Sequence, residues 1–148
     1  GCFGCHMSML DVDLGILDLF EVIELNKSPL TDIKDFTKHC DIGLVEGGCC
    51  NTHDIEVLRE FRKNCDILIS VGECAIWGGL PAMRNTFPLE KCLKESYLNS
   101  MTSEENETVI PNHEEIPNII NNVYPNHEIV KIDLHIYIYL VHCLHNRL

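Results

Sequence analysis

The chain reads as an α/β protein with a mostly parallel sheet covered by helices on both faces. Three observations predict it. Short apolar runs of strand length alternate with stretches of helical period. The links between them are short, as in strand–helix–strand units. Glycines close the strand-like runs, at Gly47-Gly48 and at Gly72. Such alternation favours parallel pairing with right-handed crossovers.

The elements follow in order. Ser8 with Asp11 three residues on resembles a capping box, and Leu10, Leu14 and Leu17 repeat at helical spacing, so a helix is expected over 8–20. Val22, Ile23 and Leu25 mark a strand over 21–25, and Ile33 and Phe36 the inward face of a short helix over 31–40. Residues 41–46 form the next strand. Ile55, Leu58, Phe61 and Cys65 share one face of a helix over 52–64, and 66–71 is a third strand running into Gly72 and Cys74. Beyond a polar loop come a helix over 89–98, an irregular stretch over 99–115, a short helix over 117–123 and a last strand over 129–133. Residues 136–141 are strongly β-prone.

At 148 residues the chain is long enough for one domain with a real core. Its net charge of −12 argues against a nucleic-acid backbone as partner. No Lys or Arg occurs between Lys94 and Lys131, a stretch that reads as a solvated acidic loop. No apolar run approaches the roughly 20 residues of a membrane span. The first residue is Gly, and a parallel sheet would need a strand before it to support the first loop, so an N-terminal truncation is expected.

The chemistry concentrates in cysteines, of which there are nine. In a secreted chain they would suggest disulfides; in a cytosolic one, metal or redox chemistry. Cys40, Cys65 and Cys92 sit at apolar positions of helical patterns and read as core packing, and Cys49-Cys50 as loop packing. Two groups differ. Gly1-Cys2-Phe3-Gly4-Cys5-His6 feeds a helix N-terminus, whose partial positive charge favours thiolates. Gly72-Glu73-Cys74 follows a strand and precedes Trp77-Gly78-Gly79. The second group falls at the carboxyl rim of the expected sheet, where α/β proteins bind ligands, and the first does too given the strand expected before Gly1.

Several readings of these thiols compete. Cys2-Phe3-Gly4-Cys5-His6 matches the C-x-x-C-H haem attachment pattern, but the strand–helix alternation does not suit a small helical haem domain. A thioredoxin-like pair leaves Cys74 unused. Zinc would need a second close pair. Unrelated buried cysteines would not require glycines flanking both groups. The remaining reading is a [4Fe–4S] cluster held by Cys2, Cys5, Cys74 and a fourth group. His6 then lies beside the site, and Glu46, at a neighbouring strand end, is either a proton relay or a structural carboxylate.

Four stretches carry a resemblance: Gly1 to Asp13, Ser28-Pro-Leu-Thr-Asp-Ile-Lys34, Val45-Glu-Gly-Gly48, and Val71-Gly-Glu-Cys-Ala-Ile-Trp-Gly-Gly-Leu-Pro-Ala-Met-Arg-Asn85. Together they resemble the small subunit of soluble, NAD-linked (bidirectional) nickel–iron hydrogenases. That subunit belongs to a wider group with the 20 kDa cluster subunit of NADH:quinone oxidoreductase. The likeness runs from residue 1 to about 133, more loosely near 100–120. It implies a flavodoxin-like domain over 1–133 with one [4Fe–4S] cluster proximal to a nickel–iron centre in a separate large subunit. The small subunit would do no substrate chemistry itself. It would pass electrons from hydrogen oxidation to diaphorase-type flavin and iron–sulfur subunits that reduce NAD, in the cytoplasm. Some members have been described with a flavin; the sequence places no FMN site.

In that family the first three cluster ligands match Cys2, Cys5 and Cys74, and the fourth lies in a Gly-Cys-Pro-Pro turn after the last strand. Here residues 134–148 form an atypical tail without that turn, as a frameshift or altered gene end would produce; Cys143 is the nearby candidate for the fourth ligand. Two alternatives stand beside this reading. One is the related cluster subunit of a quinone oxidoreductase, which typically shows adjacent cysteines in its first motif. The other is a degenerate flavodoxin-like interaction module without a cluster.

Overall fold

The structure is a computed structural model that describes residues 2–28, 32–101 and 109–137. Its centre is a parallel sheet of β1 (Cys40–Glu46), β3 (Cys65–Val71) and β5 (Leu134–Ile136), in the order β1-β3-β5. β1 and β3 run in register from Cys40 beside Cys65 to Glu46 beside Val71. Central β3 holds the driest residues: Leu68 and Ser70 are fully buried, Val71 nearly so. Removing a side chain such as Leu68 from water contributes about 1.5–3 kcal/mol. The α/β class with parallel strands is as the sequence predicts.

Helix α3 (Thr52–Asn64) has the bounds expected from its pattern. Asn51 caps it, its Oδ1 accepting the Asp54 amide at 2.8 Å, and Leu58 points into a core with Cys49 and Leu68. The expected single helix over 8–20 is instead two, α1 (Gly4–Leu10) and α2 (Gly15–Val22). Asp13 takes a left-handed backbone, φ 62, and breaks the run. Ser8 is not a cap but lies inside α1, its hydroxyl donating to the Gly4 carbonyl at 2.9 Å. Helix α2 then absorbs the start of the expected strand over 21–25: the Ile23 amide still donates to the Leu19 carbonyl, and no ladder partner is present among the described residues.

The helix expected over 31–40 is also absent from its described part, 32–39. That segment is tied down by side chains instead. Asn26 Oδ1 accepts from the Thr37 amide at 3.1 Å, and its amide donates to the Lys38 carbonyl. Phe36 packs edge-on against Phe61 of α3, and Lys27 lies over both rings while paired with Glu60.

A second, antiparallel pair joins β2 (Cys49–Asn51) to β4 (Ile119–Tyr124). It overturns two expectations: Cys49-Cys50 lie in a strand rather than a loop, and 117–123 is mainly strand rather than helix. The partner strand, about 70 residues away, decides the matter by offering β-branched Ile119, Ile120 and Val123 a ladder. The outer edge of β4 is closed by side chains: Asn85 exchanges two hydrogen bonds with the Val123 backbone, and Arg84 donates to the Ile120 carbonyl. Among the described residues the last strand falls at Leu134–Ile136, after the expected 129–133. Residues Ile129, Val130 and Ile132 pack on the core instead. Cys40 and Cys65 head strands rather than lying on helix faces, and Cys65 is buried. Residues 89–98 are helical as expected, with α6 (Leu89–Leu93) passing into a wider π turn, Lys94–Leu98.

No helix among the described residues is long and apolar enough to cross a membrane.

Candidate cysteine site

β3 ends at Val71, and Gly72 turns the chain into α4 (Glu73–Trp77), followed directly by α5 (Gly79–Ala82). Gly72 and Gly79 both have positive φ, 86° and 52°, where a side chain is strained. They are also the walls of a cradle. A Cβ on Gly72 would stand 2.2 Å from the Cys5 sulfur, and one on Gly79 would stand 2.9 Å from the Cys74 sulfur. A Cβ on Gly4 would meet the Cys2 sulfur at 3.3 Å. Each thiol therefore rests against bare glycine backbone.

Cys2, Cys5 and Cys74 are thus brought to one rim of the sheet, Cys2 exposed and the other two half-buried. Their proximity registers in the Cys5 thiol. Burial pushes its pKa up, and the charges of Glu46, Cys2 and Cys74 push it further. Such a thiol keeps its proton until a metal displaces it.

Glu46, the last residue of β1, reaches the same rim. Its two carboxylate oxygens accept the Phe3 amide at 2.8 Å and the His6 amide at 2.9 Å. The imidazole of His6 lies beside the Phe3 ring, 6.2 Å between centroids. This hold is the structural one of the two roles open to Glu46 from sequence. No local signal announces it, because the partners are 43 and 40 positions away.

Among the described residues, no three His, Cys, Asp or Glu side chains converge closely enough to hold a single metal ion. A four-iron cluster makes a different demand, one thiolate per iron, so its ligands stand apart around a bulky group. Three thiols on one rim, each beside bare glycine backbone, suit three corners of such a group. Cys143, the expected fourth, lies outside the described residues.

The other cysteines serve elsewhere. Cys49 is 3% exposed, and burial first, then Asp54, pushes its thiol up to about 11. The Cys50 thiol donates to Asp54 at 3.2 Å. None of the eight described cysteines is in a disulfide.

Free thiols grouped at the carboxyl rim of a parallel sheet place the chain among α/β domains suited to soft-metal or redox chemistry. Comparison with known proteins narrows this. The family model for the NADH ubiquinone oxidoreductase 20 Kd subunit matches residues 2–138, and this chain belongs to that family. The delta subunit of the NAD-reducing hydrogenase HoxS of Cupriavidus necator is 53% identical over 134 residues, 90% of this chain and 64% of that protein. The F420-non-reducing hydrogenase of Methanothermobacter thermautotrophicus has a component that is 36% identical, over 92% of this chain and 44% of its own length. The crystal structure of an NAD+-reducing [NiFe]-hydrogenase in the H2-reduced state contains a similar chain. It matches with a TM-score of 0.87 and 44% identity, over 91% of this chain and 75% of that one. The chain thus spans about two thirds or less of these curated relatives.

Proposed function

We propose that this chain is the electron-transfer small subunit of a nickel–iron hydrogenase, carrying one [4Fe–4S] cluster on Cys2, Cys5 and Cys74 and working in the cytoplasm. The observation that carries the reading is the glycine-walled rim on which these three thiols meet, taken with the hydrogenase relatives. When bound, the cluster supplies one-electron transfer. The chain's own residues hold the thiols, exclude side chains from the cradle through Gly72 and Gly79, and anchor the first loop through Glu46. The domain over 1–133 forms the cluster site, and Cys143 in the 134–148 tail is the proposed fourth ligand.

Hydrogen is split in a partner large subunit, and electrons continue to diaphorase-type flavin and iron–sulfur subunits that reduce NAD. Unpartnered apolar surface supports work in a complex. Phe3, Met7, Val12, Leu14, Leu17 and Trp77 are all exposed, apolar surface that a partner subunit would cover.

Anaerobic iron–sulfide reconstitution, with EPR and iron counting, tests the proposal. About four irons per chain are expected, falling in Cys2→Ser, Cys5→Ser and Cys74→Ser. A folded chain that takes up no iron would sink it in favour of a cluster-free interaction module.

A further inference from the structure

We propose that Glu46 is the positioning residue of the cysteine site, holding the Cys2–Cys5 loop in its ligating shape before any metal arrives. This rests on the reading of Cys2, Cys5 and Cys74 as cluster ligands. Helix α1 starts badly by itself. Its first residue is preceded by Phe3, which has a left-handed backbone, φ 61, and no side-chain cap. The first amides of any helix lack partners within it, and a left-handed Phe persists only where its surroundings hold it.

Glu46 supplies that hold from outside the helix. It ends β1 in register with Val71, the residue before Gly72, so it projects from the rim that the Cys5 sulfur touches. Its oxygens take two particular peptides. The Phe3 amide belongs to the peptide following Cys2, and the His6 amide to the peptide following Cys5. One carboxylate therefore clamps the backbone immediately after each of two ligand cysteines. Hydrogen bonds to a charged acceptor are about twice as strong as neutral ones. Glutamine in its place keeps one acceptor oxygen and loses the charge, whereas alanine loses both acceptors.

The test uses the whole chain as wild type, Glu46→Gln and Glu46→Ala. Amide hydrogen exchange at Phe3 and His6 is followed in the metal-free protein, and the same samples are then reconstituted anaerobically. Both amides should exchange on the order of tenfold faster in Glu46→Ala, with Glu46→Gln in between. Iron content should fall in Glu46→Ala. Glu46→Gln should keep its cluster but titrate at a more positive midpoint potential, because a fixed negative charge beside it is gone. Should Glu46→Ala fail to fold, the sterically matched Glu46→Gln carries the test. Unchanged exchange at both amides in the variants overturns the proposal. So does a Glu46→Gln cluster with wild-type potential. If the wild type itself takes no iron, the cluster reading fails, and the exchange data still decide whether Glu46 holds the loop.

Discussion

The sulfur of Cys5 occupies the place where a side chain of residue 72 would begin: a Cβ on Gly72 would lie 2.2 Å from it. Two constraints meet at this glycine, since its φ of 86° also disfavours any L side chain. Gly72→Ala should therefore destabilise the fold by roughly 1–3 kcal/mol and push Cys5 away from Cys74. Denaturant melts and iron counts after reconstitution check both effects. A variant with wild-type stability and iron content would show that the close approach is not required.

Alkylation of the metal-free chain should discriminate between Cys2 and Cys5. Only the thiolate reacts, and burial together with the nearby charges of Glu46, Cys2 and Cys74 raises the Cys5 pKa. Cys2 is exposed. At pH 8, iodoacetamide should label Cys5 several-fold more slowly than Cys2, and Cys5 labelling should keep accelerating as the solution is made more alkaline. Mass spectrometry of the N-terminal peptide separates the two sites; equal rates at pH 8 would contradict the packing of Cys5 against Gly72.

What the sequence reveals of this architecture depends on how local the determining forces are. Helix α3 and strands β1 and β3 carry their own signals: one apolar face through Ile55, Leu58 and Phe61, and apolar runs closed by glycines. The place of Cys74 follows from the same logic, because parallel strands send their carboxyl ends to one edge, whereas Cys2 and Cys5 follow no described strand. β4 is different. Its helix-like local pattern gives way to a strand because Cys49–Asn51 and the Asn85 side chain satisfy its two edges from afar. The break at Asp13 and the hold of Glu46 on Phe3 and His6 are likewise long-range or conformational facts, without a spacing to betray them.

Buried Cys49 should make the fold sensitive to alkali. Its folded-state pKa of about 11 lies above the ordinary 9.0, so the folded state binds this proton more tightly than the unfolded chain does. The resulting stability is complete below pH 9 and is lost as pH rises from 9 to 11. The difference amounts to about 3 kcal/mol at most. Cys49→Ala should be less stable than wild type at pH 7 and close the gap by pH 11. Parallel urea melts would expose the error if the gap stayed constant.

Asp133 should set the acid limit. Its carboxylate accepts the Leu68 amide at 2.9 Å, while the Asp133 amide donates to the Leu68 carbonyl, so one residue pairs twice with the driest position of β3. Arg62, at the end of α3, donates to the same carboxylate and to the Cys65 and Asp66 carbonyls. The Leu68 amide first, then Arg62, holds the Asp133 pKa down to about 2 from an ordinary 3.8. A depressed carboxylate stabilises the fold above its unfolded pKa, and that contribution disappears as pH falls from about 4 toward 2. Asp133→Asn keeps the shape but neither the charge nor the titration. It should melt earlier than wild type at pH 7, and the gap should shrink between pH 4 and pH 2. Thermal unfolding followed by circular dichroism across that range measures it, and an undiminished gap at pH 2 would mean that the Asp133 charge does not couple α3 to β3.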